Sequence, residues 1–365
     1  MDLHEKLELL ADASRYDLSC ACGTKDGDDH RRRGPEGLWL YPVSLPGGGT
    51  SIMLKVLMSN ACVNDCRYCP FRGELDTPRC TLTPEEIAAL YMDYVRRRGV
   101  FGLFLSSGVV RDPDHTMDRM TAAGSILRRD YAYRGYIHLK IIPGASDAAV
   151  ERALSLASAV SLNVEAPKAS RFRQLSLKKD FQRDIVRPIK LISRLTGPGT
   201  RFSRVKQTTQ FVVGAADERD SELLEATYGL YRRLGLSRIY FSAYQRGAGD
   251  PSLPGESAGD LLTREHRLYQ AEFLIRKYRW ELSDIACEED GNLSLETDPK
   301  QRWADRHPEF FPVRLASAGR EQLLRVPGIG PLTAERILRG SLRGLEEAGM
   351  RGERLMKASS YVVRS

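Results

Sequence analysis

The 365-residue sequence predicts an α/β fold: a partial (β/α)6 barrel followed by a small all-α module at the C-terminal end. Three observations carry that expectation. Short apolar runs alternate with helical stretches from residue 52 to residue 244. Three cysteines, Cys62, Cys66 and Cys69, stand in a CxxxCxxC spacing directly after the first of those runs. Near the end of the chain, Pro327-Gly328-Ile329-Gly330 separates two short stretches with apolar residues at helical spacing. The expected organisation is an N-terminal extension at 1–50, the barrel at 51–247, a linker and bridging helix at 248–312, and the terminal module at 313–365.

Residues 1–19 read as a helix, and 20–50 as irregular chain. The predicted strands are Ile52–Met58, Gly102–Leu105, Tyr136–Ile142, Ala159–Val164, Thr209–Val213 and Arg238–Tyr244. Between the first two, Thr83-Pro84-Glu85-Glu86 opens a helix to Arg98: threonine caps, proline takes the first helical position, and acids fill the first turn. A second clear helix covers Asp220–Leu234. Strands alternating with helices imply right-handed βαβ units and a parallel sheet, with functional residues at the C-terminal ends of the strands. Gly247–Gly259 is linker-like, and Thr263–Trp280 reads as a long helix.

Apolar residues make up 42% of the chain and charged residues 28%, ordinary for a globular protein. No apolar run reaches the ~20 residues of a membrane span, and the N-terminus lacks a signal-peptide pattern, so a cytoplasmic protein without a membrane partner is expected. Seven cysteines suit metal ligation in a reducing compartment better than a disulfide scaffold. The net charge is +7, and residues 301–365 carry twelve Lys/Arg against seven Asp/Glu. A basic end points weakly to nucleic acid, and equally to an ordinary solvated surface.

Three thiolates on one short loop can hold three irons of a cubane cluster and leave the fourth open, whereas a fully protein-ligated [4Fe-4S] site takes four. A structural zinc site also asks for four ligands, usually as two separated pairs, and no histidine pairs with these three. With Tyr68 before the third cysteine and the loop at a strand end, the segment resembles the signature of the radical SAM superfamily, and the likeness spans residues 50–245. That resemblance implies a [4Fe-4S] cluster on Cys62, Cys66 and Cys69 with S-adenosylmethionine (SAM) on the open iron. An external low-potential electron donor would drive cleavage to methionine and a 5′-deoxyadenosyl radical, which abstracts a hydrogen atom from substrate. The cofactor carries that chemistry, and the protein binds, aims and shields it.

The resemblance extends along the chain. Ser106-Ser107-Gly108 takes the place of the family's GGE-type loop, with serines for its first glycines and no following glutamate. Asn163 and Glu165 fall in the segment whose polar side chains bind ribose, and their alternation puts both on one face of a strand. Val213, in Phe211-Val212-Val213-Gly214-Ala215-Ala216-Asp217-Glu218, resembles the branched residue that packs on adenine. Lys178 and Lys179 either reach the SAM carboxylate or form a solvated pair. His138 and Lys140 point the same way on the third strand, toward substrate or into the core.

At the C-terminal end, Leu323–Leu338 resembles a helix-hairpin-helix motif, with Gly344–Val363 as a degenerate second copy. That implies a phosphate contact made by Gly328, Ile329, Gly330, Thr333 and Arg336, helped by Arg320, Arg325 and Arg339, which positions a protein on nucleic acid without reading sequence; a packing module or protein contact is the alternative. Cys20, Cys22, Cys80 and Cys287 are enough in number for an auxiliary cluster, although no spacing joins them and reactive or buried thiols account for them more simply. Tyr16-Asp17-Leu18-Ser19-Cys20, Tyr136–Lys140 and Arg264–Gln270 complete a resemblance to a radical SAM family assigned to DNA modification or repair. The leading expectation is therefore a radical SAM enzyme acting on a DNA base, sugar or lesion, its target flipped or unpaired if it is a base. RNA modification, and a non-catalytic iron–sulfur DNA-binding or redox-sensing protein, are the alternatives.

Overall fold

In the computed structural model, residues 1–14, 32–34, 37–44, 49–244, 249–254, 258–340 and 344–363 are described. Cys20, Cys22 and the Tyr16–Cys20 segment lie outside the described residues. Contacts divide the chain into two units, residues 1–218 with 229–262 and residues 219–228 with 263–365.

The first unit is built on one eight-stranded sheet in sequential order. Its strands are β1 (Arg32–Arg33), β2 (Trp39–Ser44), β3 (Thr50–Leu57), β4 (Gly102–Ser106), β5 (Tyr136–Lys140), β6 (Ala159–Ser161), β7 (Lys206–Val213) and β8 (Arg238–Ala243). From β3 to β8 every neighbour is parallel, so the six predicted strands are those of the open, curled half-barrel. β1 and β2 add antiparallel at the β3 edge, with Leu40 opposite Leu54. They occupy chain that reads as irregular in the sequence.

Side-chain alternation sorts the sheet into two faces. Leu103, Leu105, Ile137, Leu139, Val160, Phe211 and Ile239 are fully buried, and the register aligns them in rows such as Leu105 against Leu139. Helices α2 (Pro84–Arg98), α3 (Pro113–Arg129), α4 (Asp147–Leu156) and α6 (Arg187–Leu195) neighbour one another in sequence order around the sheet. The residues between, including Phe104, Ser106, His138, Lys140 and Gln210, line cavities instead. A parallel sheet normally buries apolar side chains on both faces, so a polar second face marks the functional side.

The helices start where their caps dictate. Thr83 accepts from the Glu86 amide while Glu86 reaches back to the Thr83 amide, and Gly99 ends α2 at φ 60°. Asp2, Asp112 and Ser146 cap α1 (Leu3–Ala13), α3 and α4. The β6–β7 crossover runs through α5 (Ala169–Leu175), a π-helical turn at Phe181–Val186, and α6. α7 (Asp220–Leu234) precedes β8.

The second unit is largely helical. It contains most of α8 (Ala258–Phe273), then α9 (Pro299–Arg306), α10 (Arg320–Arg325), α11 (Pro331–Arg339) and α12 (Gly352–Ser359), with β9 (Val313–Arg314) parallel to β10 (Val362–Val363). Its core gathers Leu323, Leu324, Ile329, Ala334 and Ile337 with Leu345, Met350 and Ala358. α10 and α11 meet through the turn Val326–Gly330, where Gly328 stands at φ 85° with a virtual Cβ 2.9 Å from the Arg354 carbonyl oxygen. No helix among the described residues is long and apolar enough to cross a membrane.

Candidate functional site

The cysteine loop leaves β3 and is tied down before any of its thiols is used. The Met58 amide donates to the Ser106 carbonyl, Gly108 to Ser59 at 2.7 Å and Val63 to Val109 at 2.9 Å, so the loops after β3 and β4 run against each other. Only glycine fits at 108: a Cβ there would stand 2.4 Å from the Ala61 carbonyl oxygen. Arg79 gathers the far side. Its guanidinium donates to four carbonyls, those of Asn60, Phe71, Arg72 and Leu75, at 2.5 to 3.0 Å. Asn60, buried beside it, donates to Pro78 and accepts from the Cys80 amide. Nothing in the cysteine motif announces Arg79, which lies ten residues past Cys69.

The β6–β7 crossover supplies the other anchor. Asp65, between the first two cysteines, accepts from the Ser176 hydroxyl at 2.5 Å and from the Leu177 and Lys178 amides at 2.8 and 3.0 Å. Partial burial opposes ionisation, and these three donors overcome it and hold the Asp65 carboxyl below the usual carboxylate range. Arg67 adds an ion pair to Asp250 at 3.0 Å and a bond to the Gln174 carbonyl.

Held this way, Cys62, Cys66 and Cys69 line one cavity of about 260 Å³ at the C-terminal ends of the strands. The Val109 amide donates to the Cys62 sulfur and the Phe71 amide to that of Cys69, both at 3.4 Å, the contacts that favour sulfur in its anionic form. Burial raises the Cys66 thiol and pushes Cys69 up to about 12, with Cys66 adding to the rise at Cys69. Lys179 opposes this from within the cavity. Burial depresses its ammonium, but the Cys66 and Glu165 charges win, and it is held above its ordinary range.

Glu165 faces the same cavity from beyond β6. It takes a left-handed backbone, φ 62°, while its amide and carbonyl bond to Gln210 and Val212 of β7. Such a conformation in a side-chain-bearing residue costs about 1–3 kcal/mol and concentrates at functional sites. Its Oε2 is buried with no hydrogen-bond partner. Tyr68 lines the same cavity beside the carboxylate; burial, and then the Glu165 and cysteine charges, keep the phenol neutral. Ser106, Ser107, Gly108 and Asn163 also line the cavity.

Two expected positions fall elsewhere. Lys178 is outside the cavity lining, its ammonium donating to the Val63 carbonyl at 2.8 Å, and Lys179 takes the inward place. The Asp65 clamp on the 177 and 178 amides sets that phase. Val213 is fully buried off the cavity, and strand alternation brings Val212 to it instead. Glu218, at the end of that pattern, caps the Gly214 and Ala216 amides at 2.5 and 3.0 Å. His138 and Lys140 do face inward. His138 lines a second cavity of about 350 Å³ that shares Lys140, Asn163 and Gln210 with the first.

In the second unit, the five hairpin residues form one turn and helix start, but packing takes most of their side chains. Ile329 and Thr333 are buried, and Arg336 donates to the Ala348 carbonyl at 3.2 Å. Arg325 lies 4.1 and 4.5 Å from the Trp280 and Trp303 ring centres and pairs with Asp284 at 2.8 Å, so it is packed rather than offered to a phosphate. Arg320 and Arg339 stay exposed. Cys80 belongs to the first unit, its sulfur 3.7 Å from the Lys6 carbonyl oxygen; Cys287 belongs to the second, its thiol pushed up to about 11 by burial.

No three His, Cys, Asp or Glu side chains among the described residues converge as ligands of one metal ion. A cubane asks for something else, because each cysteine takes a different iron and the sulfurs stand apart around it. Three thiols on a pinned loop, two of them receiving amide N–H donors, beside Lys179, Asn163 and an orphaned carboxylate oxygen, fit a [4Fe-4S] cluster with SAM next to it.

No protein-family model matches the chain. No curated protein matches it either. Solved structures resemble it in fold. The FeFe-hydrogenase maturase HydG from Carboxydothermus hydrogenoformans is 18% identical over 61% of this chain and 51% of its own, with a TM-score of 0.49. Methylornithine synthase (PylB) is 16% identical over 60% and 62%, with a TM-score of 0.48. The cobalamin-dependent S-adenosylmethionine radical enzyme OxsB is 12% identical over 70% and 35%, with a TM-score of 0.35. The match thus spans less than two thirds of each of these proteins. None of the likenesses is strong enough to carry an activity over, and what the chain does is read from its own site.

Proposed function

We propose that this protein is a radical SAM enzyme that acts on nucleic acid, with DNA the leading substrate. The observation that supports it most is the grouping of Cys62, Cys66 and Cys69 with Tyr68, Lys179 and Glu165 around one cavity. When bound, the cluster and SAM would supply a one-electron cleavage of the sulfonium and a 5′-deoxyadenosyl radical that takes a hydrogen atom from substrate. The chain's own residues do the rest. The thiols would each hold an iron. Lys179 and Asn163 would face the carboxylate and hydroxyls of SAM, Glu165 Oε2 would accept from a ribose hydroxyl, and neutral Tyr68 would fix the other side of that carboxylate. The backbone at Ser106-Ser107-Gly108 would meet the amino group. The adjoining cavity, lined by His138, Lys140 and Tyr240, is where the reacting part of a substrate would lie.

The nucleic-acid part of the reading is supported by the α10–α11 turn and its resemblance to a helix-hairpin-helix. Its contact would come from backbone amides at the start of α11 and from exposed Arg320, Arg336 and Arg339, since Ile329 and Thr333 are buried. The test is anaerobic reconstitution with iron and sulfide, then SAM and a low-potential reductant, reading 5′-deoxyadenosine with duplex DNA, single-stranded DNA and tRNA. Release stimulated by one of these supports the proposal. A fully loaded protein that leaves SAM intact under all three conditions refutes the enzyme.

A further inference from the structure

Positive charge is densest not at the hairpin but in the β6–β7 crossover. Residues 168–206 hold twelve Lys/Arg against two Asp/Glu, a surplus larger than the whole chain's +7. The structure arranges part of it as a row. On α6 the apolar residues Ile189, Leu191 and Ile192 are buried, while Arg187, Lys190 and Arg194 stand exposed at i, i+3 and i+7, on one face. These three line a groove of about 400 Å³ with Asp147 and Gln182. Arg187 is paired with Asp147 at 2.8 Å; Lys190 and Arg194 make no ion pair among the described residues. An exposed helix face usually mixes both signs, and α6 has no acid at all.

We infer that α6 is a nucleic-acid contact separate from the hairpin, holding a sugar–phosphate strand along Arg187, Lys190 and Arg194. The row spans about 10 Å along the helix axis, single charges at steps that suit a strand with a charge at every nucleotide. An anionic membrane surface fits less well, because a helix lying on lipid needs apolar side chains on its outer face and α6 turns its own inward. The inference rests on the nucleic-acid half of the function proposed above and not on its cofactor.

The test is the salt dependence of binding for the full chain, measured by anisotropy with labelled duplex DNA, single-stranded DNA and tRNA, and by sedimentation with phosphatidylserine vesicles. Lys190→Ala/Arg194→Ala should lower the slope of log K against log salt by about two on duplex, because each phosphate contact contributes about 0.9. Adding Arg187→Ala should remove about one more. Thermal melting and cysteine-site iron content should stay at wild-type values, since these side chains are exposed and outside the site. An unchanged slope on every nucleic acid to which the wild type binds overturns this contact and leaves the function standing. So does loss of vesicle binding with nucleic-acid binding retained. A wild type that binds no nucleic acid removes the proposed partner and this contact together, while the SAM-cleavage readout still judges the enzyme.

Discussion

Asp65 and Ser176 are 111 positions apart in the chain, and their side chains meet at 2.5 Å, which locks the cysteine loop to the β6–β7 crossover. The same carboxylate takes two further amides. Asp65→Ala removes the acceptor of three donors at once; water can replace it at the exposed Leu177 and Lys178 amides, while the buried Ser176 hydroxyl loses its partner at a cost of about 1–3 kcal/mol. The expected result is lower iron and sulfide content after reconstitution with all three cysteines still present. Content equal to wild type would show that the clamp is dispensable.

Gly108 is the tightest backbone approach in the site. In Gly108→Ala, a methyl group 2.4 Å from the Ala61 carbonyl forces two chain segments apart, and neither is a flexible side-chain end. A displacement near 1 Å in a catalytic frame costs about 100-fold in rate. We expect 5′-deoxyadenosine production to fall by about that factor while the rest of the fold melts near the wild-type temperature.

Glu165 couples strain to function. Replacing it by glycine frees the left-handed backbone and removes a buried carboxylate oxygen that has no partner. Glu165→Gly also leaves the buried Lys179 ammonium without that carboxylate's charge, so it should be less stable than wild type in urea despite the relieved strain, and should bind SAM at least tenfold more weakly by equilibrium dialysis. A variant that binds SAM as tightly as wild type would assign the residue to the scaffold.

Lys300 gives the second unit a pH dependence. Its ammonium is buried, 2.5 Å from the Ile329 carbonyl oxygen in the hairpin turn, and burial pushes it down to about 7, with Lys357, Arg354 and Arg325 adding to the fall and Asp298 resisting it. Between that value and the ordinary 10.5, the unfolded chain keeps a proton that the folded chain has released. Stability of this unit should therefore rise as pH climbs through that window, by at most about 1.4 kcal/mol per pH unit, and be flat below it. Urea titrations read by tryptophan fluorescence check this, and Lys300→Met should flatten the slope.

The six parallel strands were readable because each is a short apolar run bounded by turn residues. β2 was not, because Pro42 interrupts Trp39–Ser44 and a proline inside such a run argues against a strand; at the sheet's edge region it pairs with Ile52 all the same. In the site, the cysteines and the Asn163–Glu165 alternation were legible as local patterns. That Lys179 rather than Lys178, and Val212 rather than Val213, line the cavity is set by long-range bonds that no local pattern contains. Arg325 was read by its charge, and its place between Trp280 and Trp303 depends on two segments distant in sequence.

The four carbonyls gathered by Arg79 involve no sulfur, and neither do the bonds of Asp65 and Asn60 that anchor the same loop. Many small metal sites become ordered only as metal arrives. The bonds that hold this loop are made by carbonyls, amides and a carboxylate rather than by its thiols, so a chain with all three thiols replaced should melt near the wild-type temperature.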